Sequence, residues 1–348
     1  MRDIYSDILP WLSENTPFAI ATVTKTWGSA PRGVGSSMAV TQDMAVVGSV
    51  SGGCIEGAVI EKARTILEGG GAKSLTFGVT DETAWSVGLT CGGKVNVFVE
   101  KHPAFSDNPQ TAEIWQALQT ALDQNLPAIF VRDLTGEANT HLLVYPDGNT
   151  VGNWGEIQPA VVDLALAAYR SRKSGEADLD GKTIFLNVFP RRDRMFIIGA
   201  AHISIPLVKF AKDLGFEVIT IDPRQIFATL ERFPVPPDQL LSDWPDEILP
   251  KLVPDDDTYA VLLTHDPKID DVALHIVLKS DAAYIGALGS KKTHAKRVNR
   301  LQEAGFTEAE IARIHGPVGL SIGAKTPEEV ALSIIGQIIK IKRIRSEQ

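Results

Sequence analysis

Both cysteines of this 348-residue chain stand beside paired glycines, in Ser51-Gly52-Gly53-Cys54 and in Cys91-Gly92-Gly93. A helical pattern follows Cys54, and the unpaired amides and the dipole at a helix N-terminus favour a thiolate. The glycines let a ligand approach the backbone closely, and thiolates bind thiophilic metals. Cys54 and Cys91 are therefore candidate ligands of a thiophilic metal, and the alternative is two small buried hydrophobes. The 36 residues between them exclude a CxxC motif.

A second candidate site lies where the apolar run 195–198 leads into the turn Gly199-Ala200-Ala201-His202. An amphipathic stretch and the apolar run 218–221 follow, and they end on Asp222, 23 positions after Gly199. This order is typical of a dinucleotide-binding fold, in which such an acid binds a ribose. A full fingerprint has glycine at positions 201 and 204, where this chain has Ala201 and Ser204. The pattern predicts a nucleotide-like ligand, or a doubly wound domain that binds none.

Other polar residues are expected around the same sheet edge. In the common doubly wound strand order the first and fourth strands are neighbours, so His202 and His265 would face one crevice. Asp222 could accept a hydrogen bond from a ribose or from another donor group of a ligand, while Arg224 could hold a phosphate. For each histidine the alternative is an ordinary loop side chain. The pair Asp270-Asp271 is interpreted as a solvated helix start.

Two further segments could bind an anion. Gly289-Ser290-Lys291 opens a helix, and backbone amides together with Ser290 and Lys291 would form an anion cradle. In the N-terminal half, the glycine-rich segment 27–35 contains Arg32, which could clamp a phosphate or carboxylate at two points. The alternative for Arg32 is a solvated arginine in a turn.

The amino-acid composition argues against several classes of protein. The net charge of −9 and the pI near 5.3 argue against a nucleic-acid surface, which needs a basic stripe. No apolar stretch approaches the roughly 18 residues that span a bilayer, and the polar, acidic first residues do not resemble a secretory signal. Two cysteines do not make a disulfide framework. We therefore expect a cytoplasmic protein that binds neither nucleic acid nor membranes.

The element pattern predicts an α/β protein with two domains. In residues 191–348, strand runs at 218–221, 259–263 and 282–285 alternate with helical periods at 272–279 and 292–304, which indicates a doubly wound, Rossmann-like parallel sheet. A last helix is expected from 327 to about 342. Residues 1–190 are typical of an α+β domain, with strands at 18–24, 37–41, 46–50, 95–99, 128–133 and 142–145 and helices at 55–67, 111–122 and 159–172. Residues 190–194 are the predicted linker.

Several of these segments, in this order, resemble the xanthine dehydrogenase accessory-factor family of the XdhC/CoxI type. The N-terminal matches are Gly28-Ser29-Ala30-Pro31-Arg32, the segment 48–57 around Cys54, and Cys91-Gly92-Gly93. The C-terminal matches are Gly199-Ala200-Ala201-His202, Asp222-Pro223-Arg224, Thr264-His265-Asp266, and the segments 284–292, 316–320 and 325–329. The resemblance covers residues 15–100 and 195–340, and the length and order of its motifs make it specific.

The resemblance implies a chaperone that binds the molybdenum cofactor, a molybdopterin, and delivers it to a molybdenum hydroxylase of the xanthine dehydrogenase class. It also implies, for some members, contact with the cysteine desulfurase that places the terminal sulfur on molybdenum. The family's turn is usually Gly-Ala-Gly-His, so Ala201 is a departure that weakens the case for a dinucleotide. We expect the C-terminal crevice to bind the pterin phosphate and the two cysteines to approach the molybdenum end, within one chain or across a homodimer.

Two other functions remain open at this point. The Rossmann-like pattern and Asp222 also fit an NAD(P)-dependent oxidoreductase with His265 or His294 as the acid–base group, and Arg224 could then bind a 2′-phosphate. Ala201 and the lack of a clear catalytic dyad speak against it. The third alternative is an adaptor without a ligand, which docks the desulfurase or the hydroxylase and retains no pterin.

Overall fold

The computed structural model describes residues 1–78, 93–106, 108–135 and 141–347. They form two compact units, Met1–Arg191 and Arg192–Gln348. The helices of the first unit are α1 (Tyr5–Ser13), α2 (Glu56–Gly69), α3 (Pro109–Asp123) and α4 (Gln158–Arg170). Its strands are β1 (Phe18–Trp27), β2 (Ser37–Thr41), β3 (Val46–Gly48), β4 (Ala72–Phe77), β5 (Lys94–Lys101), β6 (Ala128–Asp133), β7 (His141–Val144), β8 (Thr150–Val151), β9 (Gly175–Leu179) and β10 (Lys182–Phe189).

The first unit consists of two stacked antiparallel sheets, with strand orders β3-β2-β1-β5-β4 and β8-β7-β6-β10-β9. Side chains alternate between the two faces of a strand. Along β1, Ala19 therefore packs against α2 while Phe18 packs towards Phe130 of the second sheet. Along β6, Ile129 faces the opposite way and packs with Val161 of α4. Helix α2, the two sheets and helix α4 thus form four layers, and α1 and α3 pack with the side chains that lie between the sheets.

The strands of the second unit are β11 (Arg194–Ile198), β12 (Glu217–Ile221), β13 (Gln239–Leu241), β14 (Thr258–Leu262), β15 (Tyr284–Ala287) and β16 (Ile314–His315). Its helices are α5 (Ser204–Asp213), α6 (Pro245–Leu252), α7 (Pro267–Val277), α8 (Lys291–Glu303), α9 (Glu308–Ile311) and α10 (Pro327–Glu347). Among the helices within the described ranges, none has the length and apolar character needed to cross a membrane.

The six strands form one parallel sheet in the order β13-β12-β11-β14-β15-β16. The predicted doubly wound sheet is therefore confirmed, and β11 and β14 meet where the strand order reverses. Buried side chains cover both faces: one core includes Val208 of α5 and Ile334 of α10, and the other includes Leu274 of α7 and Leu301 of α8. The carboxyl ends of β11, β14 and β15 define the edge at which a ligand would bind.

Several predicted boundaries differ from the structure by a few residues, and two of them lie at the ends of the second unit. The last helix begins at Pro327 as predicted, because the Glu329 carboxylate accepts a hydrogen bond from the amide of Thr326 at 3.0 Å, but it extends to Glu347. The predicted linker is too long by one residue, since Arg194 begins β11. Its guanidinium donates to the carbonyl of Leu252 at 2.6 Å, which anchors it to the second unit.

Candidate functional site

Cys54 lies just before helix α2, as the helical pattern predicts. The helix begins at Glu56, and the thiol of Cys54 is free and half-buried against the core under α2. Gly52 and Gly53 have φ of 79° and 117°, backbone conformations that side chains with a Cβ rarely adopt. The paired glycines are therefore explained by the path of the loop that leads into the cysteine.

The amides of this loop do not face the thiol, contrary to expectation. They converge on the Glu56 carboxylate, whose Oε1 accepts from the amides of Ser51 and Gly52 at 2.9 and 3.1 Å. Its Oε2 accepts from the amides of Gly53 and Ile55 at 2.9 and 3.2 Å. Burial by itself raises the pKa of Glu56, but the serine hydroxyls and loop amides outweigh it and lower the pKa to about 2. Glu56 was missed because a first-turn acid is common in any helix.

The other N-terminal motifs meet at the same loop. Arg32 donates from Nε to the Ser49 carbonyl at 3.1 Å and from Nη2 to the Asp3 carboxylate at 2.5 Å. A Cβ on Gly93 would lie 2.6 Å from the carbonyl oxygen of Ser29, so the Gly93 backbone packs directly on the Arg32 loop. Arg32 therefore fixes the start of the cysteine loop, and its role as a clamp for a phosphate or carboxylate stays a prediction.

Cys91 lies outside the described residues, so its predicted role as a metal or cofactor ligand stays a prediction. Within the ranges that the structure describes, His, Cys, Asp and Glu side chains form no group of three or more that could hold a metal ion. Cys54 is thus a single thiol and the described residues supply no complete metal cage around it.

The C-terminal site lies between the loops that follow β11 and β14. Gly199 has φ of 111°, and a Cβ there would lie 2.9 Å from Cγ2 of Thr264, so these two loops are in contact. His202 and His265 are both exposed, each at the carboxyl end of one of these neighbouring strands. The strand order that was expected to bring them to one edge is present. Ala200 and Ala201 complete the turn that separates β11 from α5.

Asp222 and Arg224 have a different role from the predicted one. Asp222 is fully buried, and its Oδ2 accepts from the amide of Ala200 at 2.8 Å. Arg224 donates to the same carboxylate from Nε at 2.9 Å and from Nη2 at 2.8 Å. Burial by itself raises the pKa of Asp222, but Arg224 and the bound amides outweigh it and lower the pKa. Because the acid is already satisfied, it braces the Gly199–His202 turn and is not free for a ribose.

The Gly289-Ser290-Lys291 loop opens α8 as predicted. Ser290 caps the helix by accepting a hydrogen bond from the amide of Thr293 at 3.1 Å, and its side chain is exposed. Lys291 is also exposed, while Gly289 has φ of 141° and packs its backbone on Thr293. The Ser290 side chain accepts from one of the free backbone amides in the first turn of α8. The other free amides of that turn are suited to binding an anion.

The interpretation of Asp270 as part of a solvated helix start is wrong. Asp270 is 1% exposed, and its Oδ1 accepts from the hydroxyl of Thr264 at 2.5 Å. Arg297, which is 2% exposed, lies 3.8 Å from the other carboxylate oxygen and donates to the Leu288 carbonyl at 2.9 Å. Burial raises the pKa of Asp270 against the opposing effects of Thr264 and Arg297. This buried pair ties the loop after β14 to the loop after β15.

Comparison with known proteins gives matches at both ends of the chain. The model of the XdhC and CoxI family matches residues 11–78, and the model of the XdhC Rossmann domain matches residues 195–338. The matched residues include the Cys54 loop in the first unit and all the loops at the carboxyl edge of the parallel sheet in the second.

Individual relatives match along most of their length. A Bacillus subtilis protein whose name describes it as a probable component of xanthine dehydrogenase is 26% identical over 339 residues, which is 95% of each chain. The molybdenum cofactor insertion chaperone PaoD of Escherichia coli is 23% identical over 331 residues, 94% of this chain and 84% of that one. A crystal structure described as a xanthine dehydrogenase from Bacillus halodurans is 27% identical, with a TM-score of 0.79, and the match covers 99% of this chain and 97% of that chain.

Proposed function

Because the chain belongs to the XdhC and CoxI family, we propose that it binds the molybdenum cofactor and delivers it to a molybdenum hydroxylase of the xanthine dehydrogenase class. The names of its relatives support this: PaoD is a molybdenum cofactor insertion chaperone, and the Bacillus subtilis protein is named as a probable component of xanthine dehydrogenase. The cofactor is cargo in this proposal, and we expect the transfer to take place in the cytoplasm.

The observation that carries the proposal is the half-buried free thiol of Cys54 on a loop whose amides are all engaged elsewhere. Thiolate sulfur is a suitable ligand for a thiophilic metal. A loop held in one conformation presents that sulfur without an additional loss of conformational entropy on binding. Cys54 is therefore the residue we expect to contact the molybdenum end of the cofactor.

The second unit, taken by itself, offers groups that suit an anion such as a pterin phosphate. The N-termini of α5 and α8 lie at the carboxyl edge of the sheet, where free amides and the positive end of the helix dipole favour a phosphate. Lys291 adds an exposed positive charge beside the second of these helices. The pairs Asp222–Arg224 and Asp270–Arg297 hold the surrounding loops in place, so we expect backbone amides rather than these side chains to bind the phosphate.

The test is an equilibrium titration of the purified chain with free molybdenum cofactor. Replacing Cys54 by alanine should weaken binding by about tenfold or more, which corresponds to about 1.4 kcal/mol. Met44→Ala is the matched control, because it removes a sulfur that is 55% exposed in the same unit. Equal affinity of Cys54→Ala and the wild type would remove the thiol from the site. Absence of binding by the wild type would favour the ligand-free adaptor.

An NAD(P)-dependent oxidoreductase is the second candidate, because the strand order of the parallel sheet is that of a dinucleotide-binding domain. Two contacts count against it. The Ala200 amide is bonded to Asp222, and the acid that would bind the ribose is occupied by Arg224. Micromolar binding of NADH or NADPH would revive this function.

Three finer expectations belong to the same proposal. We expect the cofactor to be handed over at or near the sulfuration step, a cysteine desulfurase to be a second partner, and the chain to act as a homodimer. Co-purification with the desulfurase and light scattering of the purified chain would test the last two. A strictly monomeric chain that transfers cofactor would exclude the dimer.

A further inference from the structure

The Glu56 carboxylate accepts seven hydrogen bonds, far more than a helix-capping acid needs. Five come from backbone amides between Val50 and Ile55, and two come from the hydroxyls of Ser49 and Ser51. A capping box normally satisfies one amide with the acid. Here the Glu56 carboxylate is the shared hydrogen-bond acceptor for the whole 49–55 loop.

The backbone amide of Cys54 is linked indirectly, through Ser51, to the same Glu56 carboxylate. It donates to the hydroxyl oxygen of Ser51 at 3.0 Å, and that hydroxyl in turn donates to Glu56. Every backbone amide from position 50 to 55 therefore donates a hydrogen bond to the side chain of Glu56 or of Ser51. Since the flanking Gly52 and Gly53 cannot stiffen the backbone by themselves, these hydrogen bonds restrict the loop.

We propose that Glu56 is a positioning residue, whose carboxylate holds the 49–55 loop in one conformation and so determines where the Cys54 thiol is presented. Arg32 supports the same loop from outside by donating to the Ser49 carbonyl. The inference rests on the proposed function only in that Cys54 is taken as the cofactor contact; the loop geometry itself does not depend on the cofactor.

Glutamine at position 56 provides a sharp test, because its side chain has the same size but replaces one acceptor oxygen by a donor. In one orientation of the amide, Gly53 and Ile55 lose their acceptor; in the other, Val50, Ser51 and Gly52 do. Either way at least two backbone amides face a donor. Aspartate keeps the charge but is one methylene too short to reach both ends of the loop.

The first measurement is amide hydrogen exchange of residues 49–55 in the free protein. Glu56→Gln should accelerate exchange there by about tenfold or more, because hydrogen bonds to a charged acceptor are lost. Glu61→Gln is the charge-matched control, as Glu61 is exposed on the same helix. Val59→Ala is the stability control, since Val59 is fully buried on α2. Glu56→Asp should lie between wild type and Glu56→Gln.

The second measurement is the alkylation rate of Cys54 by iodoacetamide, read by peptide mapping, together with the affinity for molybdenum cofactor. We expect Glu56→Gln to alkylate several times faster than either control and to bind the cofactor about tenfold more weakly. Exchange and alkylation at the rates of the controls would overturn the inference, whatever the cofactor affinity. If the loop opens but affinity is unchanged, Glu56 positions Cys54 as inferred, and the thiol contact in the proposed function is what fails.

Discussion

Replacing Glu100 by glutamine should strongly destabilise the first unit. Glu100 lies on β5 in one sheet, and its carboxylate accepts from Nη1 of Arg132 at 3.0 Å and pairs with Nε2 of His141 at 2.9 Å, both on the other sheet. The three side chains are 1–5% exposed. Among the described atoms, Nε and Nη2 of Arg132 have no hydrogen-bond partner. The variant would therefore leave a buried guanidinium without its counter-ion.

The expected loss of stability is that of a broken buried ion pair, and the direction of its pH dependence follows from the pKa of Glu100. Removing one partner of a buried ion pair costs about 3–5 kcal/mol. Burial by itself raises the pKa of Glu100, but His141 and Arg132 outweigh it and lower the pKa from 4.5 to about 2. Because the folded-state pKa is lowered, this stability is present above pH 4.5 and is lost as the pH falls towards 2.

Urea unfolding followed by the fluorescence of the buried Trp115 and Trp154 measures the effect. The control is Glu68→Gln, because Glu68 forms an exposed pair with Arg64 at 3.8 Å and should cost about 0.5 kcal/mol or less. The difference in the free energy of unfolding between the wild type and Glu100→Gln should become smaller as the pH is lowered from 6 to 3. A loss below about 1 kcal/mol at pH 7 would refute the reasoning, because an uncompensated buried charge costs more than that.

Two predictions concern the second unit. Gly199→Ala should lower the melting temperature by several degrees, because position 199 has φ of 111° and the new Cβ would lie 2.9 Å from Thr264; an unchanged value would mean that the two loops are not packed as described. Asp222→Asn should cost about 1.5–3 kcal/mol through its weakened bonds to Ala200 and Arg224, measured by the same urea unfolding. It should not create NADH binding in a fluorescence titration, and an increase in affinity would show that the carboxylate excludes the dinucleotide.

Most of the regular elements of the second unit could be predicted because their signals are local. Continuous apolar runs at 218–221 and 259–263 become fully buried strands with helices on both faces, and the acid cap at 326–329 starts the last helix. In the first unit, the sequence analysis does not predict β4, β8, β9 and β10. Glu176 and Asp178 weaken the strand signal of β9, whereas β10 has an apolar, strand-like run at 184–189 that is broken only by Asn187.

The amino-acid sequence by itself determined the family resemblance, the parallel sheet and the position of Cys54 before a helix. The order of the motifs, the apolar periodicity and the positions of the glycines can all be read from it directly. Tertiary structure decided which polar groups are free. The sequence predicts that Asp222 binds a ligand, but Arg224 and the Ala200 amide already satisfy its carboxylate. It predicts a solvated Asp270, which is instead buried beside Arg297. Whether a polar side chain already has its hydrogen bonds depends on which distant residue the fold brings within about 3 Å of it. The spacing of residues along the sequence does not specify that.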